Sequence, residues 1–221
     1  MPQPTSTAKP DFMVAGLDPN FIGYEEAWTL QREIHAEVAA GSRPDTVIFL
    51  EHSSVFTAGK RTEDAERPTD GTPVIDVDRG GKITWHGPGQ LVGYPITRLQ
   101  EPMDGVAYVR TIEGLLIDTA AEFGVTGERV EGRSGVWVNR GLNYDKVAAI
   151  GIRISEGVSM HGFAINCNNS LQAYDNIVAC GIRDAGATTL SQISGTNISP
   201  SDVVPVVTRH FTHYFEDAHV S

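Results

Sequence analysis

From Asn20 onward, apolar residues recur at Tyr24, Ala27, Trp28, Ile34 and Val38 until Gly41 breaks the pattern. That spacing predicts a helix with one buried face, with Asn20 placed to cap it. A second stripe of period 3.6, formed by Val106, Val109, Ile112, Leu115, Leu116 and Phe123, runs between Asp104 as cap and Gly124 as stop. A third, formed by Val203, Val207, Phe211 and Tyr214, predicts a last helix from about Ser201 to Phe215. Elsewhere the apolar runs are short and β-rich. They predict strands at Phe12 to Ala15, Thr46 to Leu50, Leu91 to Ile96, Gly135 to Val138, Val147 to Ile154 and Ser159 to Asn166. Val74 to Val77 and Lys82 to Trp85 flank Asp78-Arg79-Gly80-Gly81, which predicts a β-hairpin. The charged stretch Arg61 to Pro73, with two prolines, reads as an exposed loop.

Strands in the middle of the chain, with helices between and after them, predict an α+β fold: a mixed β-sheet with packed helices and a smaller C-terminal part. No internal repeat or compositional shift marks a second domain. Residues 12–221 are therefore expected to form one domain behind a loose arm, Met1 to Asp11, where five of the first ten residues are Pro or Thr.

Composition narrows the function. A chain of 221 residues with 40% hydrophobic residues can bury a sizeable core. Its formal net charge of -11 has the wrong sign for coating nucleic acid. No stretch reads as a signal peptide or a membrane span, so a soluble, cytoplasmic protein is expected. The two cysteines, Cys167 and Cys180, are too few for a disulfide framework, and no CxxC or HExxH spacing suggests a metal site.

Three places can carry chemistry. In Arg79-Gly80-Gly81-Lys82-Ile83-Thr84-Trp85-His86-Gly87-Pro88-Gly89-Gln90, four glycines sit among polar residues. Glycine lets backbone approach a ligand closely, while the interleaved polar groups are more than two tight turns need. The stretch is no phosphate-cradling loop, because Ser54 to Arg61 lacks both the first glycine and the terminal Ser or Thr of that motif. Lys146, one of four lysines against thirteen arginines, opens an apolar strand. It reads either as a snorkelling surface residue or as a partly desolvated amine able to hold an anion or act as a base. Cys180, followed by Gly181, lies at an expected turn where a thiol can face a cleft, whereas Cys167 reads as an inert core residue. A free thiol of pKa about 8.5 is only about 3% thiolate at pH 7, and an ammonium that lowered it to ~6.5 would raise that to roughly 75%. His86 or His161 is the alternative base for Cys180. His35, His210, His213 and His219 read as surface residues. Lys60, Arg61, Arg79 and Lys82 form a cationic set suited to an acidic protein partner.

Taken in order, Arg79-Gly80-Gly81, Thr84-Trp85-His86-Gly87-Pro88-Gly89-Gln90, Lys146-Val147-Ala148-Ala149-Ile150-Gly151, His161-Gly162-Phe163-Ala164-Ile165-Asn166 and Cys180-Gly181 closely resemble the lipoyl(octanoyl) transferases. The resemblance covers about residues 12–195. It implies the fold of biotin and lipoate protein ligases and transfer of an octanoyl group from acyl carrier protein to a lysine of a lipoyl domain, the first step of lipoate assembly. The implied acceptors are the lipoyl domains of 2-oxoacid dehydrogenases and the glycine cleavage H protein. It also implies Cys180 as nucleophile and Lys146 as its partner. Acyl contacts fall on Arg79, Gly80, Gly81, Lys82, Ile83, Thr84, Trp85 and His86, on Ala149, Ile150 and Gly151, and on Gly162, Phe163 and Ala164. No cofactor, metal, nucleic acid or membrane is implied. Two departures stand out: Trp85 replaces the usual tyrosine, and Ala179 a common proline. An ATP-dependent lipoate or biotin protein ligase is the alternative. Those ligases typically carry an aspartate where this chain has Gly87, and they lack the cysteine.

Overall fold

The structure, a computed structural model, describes residues 10–69, 71–177 and 185–216. Most of the expected N-terminal arm, His219 and Cys180 lie outside those residues. The main sheet has eight strands. Seven follow the order β1 (Asp11–Gly16), β2 (Thr46–Leu50), β6 (Gln90–Ile96), β10 (Val158–Asn166), β9 (Tyr144–Ser155), β8 (Arg133–Asn139), β7 (Glu128–Val130), and β11 (Ala185–Ala187) adds to β9. β1 runs parallel to β2 and β11 parallel to β9, while the other pairs are antiparallel. A smaller sheet has the order β4 (Val74–Asp76), β3 (Val55–Ala58), β5 (Thr84–His86).

Every residue of β2, β6 and β10 is buried because helices cover both faces of the sheet. Alternate residues serve alternate faces. Ile48, Leu50, Val92 and Tyr94 pack with Ala27, Ile34 and Val38 of α1 (Tyr24–Ala39). Val47, Phe49, Leu91 and Ile165 pack with Ile112, Leu115 and Leu116 of α2 (Gly105–Glu122) and with Val207 and Phe211 of α4 (Pro200–Glu216). Truncating a core residue such as Leu115 to alanine would cost about 2–5 kcal/mol. The last helix is thus part of the main core, joined by the short α3 (Leu190–Ser194), and forms no separate C-terminal part.

The α2 cap is as expected, since the Asp104 carboxylate accepts from the backbone N–H groups of Val106 and Ala107 at 2.9 and 3.0 Å. Asn20 does not cap α1. Ile22 is held extended by its backbone bond to Glu51 O (3.0 Å) and its bridge to His52, so the helix begins only after Gly23. The expected hairpin is also absent. β4 and β5 each pair with β3, which was too short to stand out in the sequence, and not with each other. The loop between them spends its backbone groups elsewhere: Arg79 O accepts from Lys60 N, Gly81 O from Arg61 N, and Gly80 N donates to Ile152 O. Within the expected exposed loop, Glu66 is buried, and His35, read as a surface residue, is buried with its ring 3.1 Å from Ser155 O.

Candidate active site

Register brings the sequence motifs together. Antiparallel pairing of β9 and β10 sets Gly151 opposite Gly162, Ile150 opposite Phe163 and Ala149 opposite Ala164. The glycine-rich loop then lies across β9, where a Cβ on Gly151 would come within 3.0 Å of Gly80 O and 3.1 Å of Arg79 Cδ. Gly162 and Gly93 are required for a similar reason. A Cβ on the first would meet Gly93 O at 2.2 Å, and one on the second would meet the Phe163 ring at 2.2 Å. Small residues therefore let two strands and a loop close around a cavity of about 360 Å³, with Val92, Ala149, Ile150, Phe163 and Ala164 as its apolar lining. That is the size of a small-ligand site.

Arg79 holds the loop in place. Its guanidinium is buried and donates to Gly80 O (3.0 Å), Lys82 O (2.9 Å), Thr57 O (2.9 Å) and Thr57 Oγ1 (2.9 Å). The charge thus stays beside the cavity while the donors serve the protein's own backbone. Lys82 pairs with Glu63 at 2.8 Å and also with Glu66. Of the cationic set expected to meet an acidic partner, only Lys60 and Arg61 are exposed.

The opposite wall is polar but uncharged. Tyr24, His86, Tyr94 and His161 line it. Burial pushes the His86 imidazole down to about 3, with His52 and Arg79 adding to the effect. Its Nδ1 lies 2.7 Å from Gln90 Oε1, an acceptor, so Nδ1 carries the proton. Gln90 is oriented in turn by donating to Asn166 Oδ1 (2.9 Å) and the Tyr174 hydroxyl (3.0 Å). His52, lowered to about 4 mainly by burial, donates from Nδ1 to Ile22 O (2.9 Å) and accepts the Tyr94 hydroxyl proton at Nε2 (2.7 Å). His161 adopts φ +57°, a left-handed conformation rare for a non-glycine residue, in the middle of β10. Its Nε2–H donates to Asp78 Oδ1 (2.7 Å), a carboxylate also paired with Arg153.

Lys146 lines the same cavity from β9. It is half-buried, and its Nζ lies 4.5 Å from the centre of the Trp137 ring, which faces it across the β8–β9 pair. Ala187 of β11 pairs with Lys146, and Thr188 N donates to Lys146 O at 3.0 Å. The strand that follows the Cys180 segment therefore docks beside this lysine, although Cys180 lies outside the described residues.

Of the other sequence-assigned residues, Arg79, Gly81, Lys82, Thr84, His86, Ala149, Ile150, Gly151, Gly162, Phe163 and Ala164 line the cavity. Gly80, Ile83 and Trp85 do not. Gly80 is bound to Ile152 O, Ile83 is fully buried, and Trp85 turns away to donate to Ser54 Oγ (2.9 Å) and meet the Tyr174 ring edge-on. Tyr24, Tyr94, Arg133 and Ser134 are additions. Tyr24 was hidden in a helical stripe and Tyr94 in a strand, where both read as core. Cys167 is fully buried and its thiol is pushed up to about 12, which leaves it inert as expected.

The cavity thus combines an apolar lining with several cations, Lys146 among them, and neutral polar groups. Residues 23–212 match the family described as the lipoyl protein ligase A/B catalytic domain. An octanoyltransferase of Leifsonia xyli subsp. xyli is 62% identical over 195 residues, covering 87% of each chain. One of Salinispora tropica is 56% identical over 214 residues, covering 96% of this chain and 99% of the relative. Among solved structures, lipoate-protein ligase A bound with ATP superposes with a TM-score of 0.68 at 14% identity, covering 94% of this chain and 85% of the other. The bipartite lipoate protein ligase of Thermoplasma acidophilum gives 0.68 at 14% identity, covering 93% and 83%.

Proposed function

We propose a mechanism that starts from the chain's membership of the lipoyl protein ligase A/B catalytic-domain family and its transfer of octanoyl groups in protein lipoylation. In this reading octanoyl-acyl carrier protein is the donor, and the acceptors are lysines of lipoyl domains, including those of 2-oxoacid dehydrogenases and the glycine cleavage H protein. The observation that carries it is the single cavity walled by three motif segments, with Lys146 at its edge. The octanoyl chain lies along Val92, Ile150, Phe163 and Ala164, and the neutral His86 and Tyr94 wall adds no charge that would have to be desolvated.

The Cys180 thiolate attacks the carrier thioester carbonyl, and the carrier's thiolate leaves with the proton of the Lys146 ammonium. The products of this step are an octanoyl thioester on Cys180 and a neutral Lys146. The acceptor amine then attacks that thioester, and Lys146 takes its proton. The amide departs, restoring the thiolate and ammonium pair. A thioester is already activated towards an amine, so no nucleotide enters either step.

Intact-protein mass spectrometry tests the sequence of events. Mixing the protein with octanoyl-acyl carrier protein, without ATP or magnesium, should add one octanoyl group that hydroxylamine removes and a lipoyl domain accepts. Octanoylation that occurs only with ATP and free octanoate would overturn the reading.

A further inference from the structure

We infer that Trp137 is a positioning residue for acyl transfer, holding the side chain of Lys146 in place as an ammonium against the face of its indole. The inference rests on the proposed role of Lys146. Trp137 is 1% exposed and sits directly opposite Lys146 in the β8–β9 register, with Nζ 4.5 Å from the ring centre. At that distance the negative face of the ring attracts an ammonium and gives nothing comparable to a neutral amine. The ring therefore holds the charged side chain in one position.

The local backbone is built to present this face. Val136 lies opposite Ala148 and Trp137 opposite Lys146, so Val147 is an extra residue and β9 bulges directly beside the lysine. On the facing strand Gly135 has φ +104°, and a Cβ there would strike Ala148 O at 2.4 Å and approach Lys146 Cε at 3.5 Å. The buried Glu113 carboxylate of α2 anchors β8 there by accepting from Gly135 N at 2.9 Å. Among the described residues the Trp137 Nε1–H has no hydrogen-bond partner, so its polar edge does not hold the ring.

Charged groups flank the pair. Arg133 of β8 has its guanidinium carbon 5.7 Å from the same ring, and Arg61, Arg79 and Lys82 line the cavity, Lys82 in its pair with Glu63 and Glu66. Glu113 pairs with Arg110 and Arg129, and Asp145, next to Lys146 on β9, pairs with Arg140. His86 and His161, held neutral, and the hydroxyls of Tyr24 and Tyr94 supply no charge from β5, β10, α1 and β6. The indole face fixes where the ammonium sits for the thiolate.

Replacing Trp137 alone with mono-, di-, tri- and tetrafluorotryptophan by nonsense suppression weakens the ring face step by step at nearly constant shape. The profile of kcat/KM against pH for octanoyl-acyl carrier protein, with the Lys146→Ala chain measured in parallel, is the readout. The alkaline limb should move to lower pH with each fluorine, by about one pH unit in all, while the acid limb stays in place. A stationary alkaline limb beside an inactive Lys146→Ala overturns the role of Trp137 and leaves that of Lys146 standing. Wild-type-like activity in Lys146→Ala overturns both.

Discussion

The indole of Trp85 occupies the space that a side chain at Gly87 would need: a Cβ on Gly87 would lie 2.2 Å from Cζ2 and 2.7 Å from Cη2 of that ring. In this chain the tryptophan at position 85 and the glycine at position 87 therefore pack as one unit. Gly87→Asp should destabilise the fold by about 1–3 kcal/mol through overpacking. In the Trp85→Tyr background the same substitution should cost distinctly less, because the smaller ring lacks the clashing atoms. Urea unfolding of the two single variants and the double variant gives the coupling, and strict additivity would show that the ring does not set the requirement for glycine.

This pair also shows what a sequence can and cannot carry. Period and composition located all three long helices and the central strands, because burial on both faces writes itself into runs such as Thr46 to Leu50. The motif segments were legible too, and the cross-strand pairing of Ile150 with Phe163 is what brings them together. Four-residue β3 was not, since Val55-Phe56-Thr57-Ala58 has too few residues to show a period. Its partners were consequently misassigned to each other as a hairpin. Arg79 falls in the segment that the resemblance gives as acyl contacts, and it lines the cavity. Only the three-dimensional loop reveals that its guanidinium also donates to Gly80, Lys82 and Thr57. Tyr24 and Tyr94 escaped for the opposite reason, since an aromatic in a buried stripe looks like core until a cavity opens beside it.

The two thiols should separate cleanly. Cys180→Ser is expected to abolish turnover and the hydroxylamine-sensitive adduct. Cys167→Ser should retain most activity while losing about 1–3 kcal/mol of stability, because a hydroxyl replaces a fully buried thiol. Iodoacetamide at neutral pH should label the native protein once, at Cys180, and peptide mapping would identify the site. Rapid native-state labelling of Cys167 would contradict the burial that raises its thiol to about 12.

The buried histidines predict acid sensitivity. His86 is lowered to about 3 and His52 to about 4, mainly by burial, whereas in the unfolded chain each takes up a proton near 6.5. Between those values the unfolded state binds more protons. Their contribution is therefore complete above about pH 6.5 and is lost as pH falls towards 4 and 3, with a slope of up to about 1.4 kcal/mol per pH unit for each ring. His86→Gln should flatten the fall in unfolding free energy between pH 6 and pH 4 by close to one proton. A slope identical to wild type would mean that His86 protonates within the fold.

Lys146 offers the sharpest division between roles, because its two proposed duties fall in different steps. As an ammonium it stabilises the Cys180 thiolate, and as a free amine it takes the acceptor's proton. Arginine keeps the first property and lacks the second, since it does not release its proton near neutrality; in the acylation step the carrier's thiolate, a good leaving group with a thiol pKa of about 8.5, can still depart and take its proton from water. Lys146→Arg should therefore form acyl-enzyme at a substantial fraction of the wild-type rate and then hold it, with transfer slowed by about 10²–10⁴-fold, the usual worth of a positioned base. Lys146→Ala should be slow in both steps, and its thiol alkylation profile should move up towards the free-cysteine value near 8.5. Single-turnover acylation and transfer, measured separately with octanoyl-acyl carrier protein and a lipoyl domain, distinguish the cases. Equal slowing of both steps in Lys146→Arg would confine the lysine to charge stabilisation. The base for the second step would then have to be sought at His86, whose neutral ring already lines the cavity.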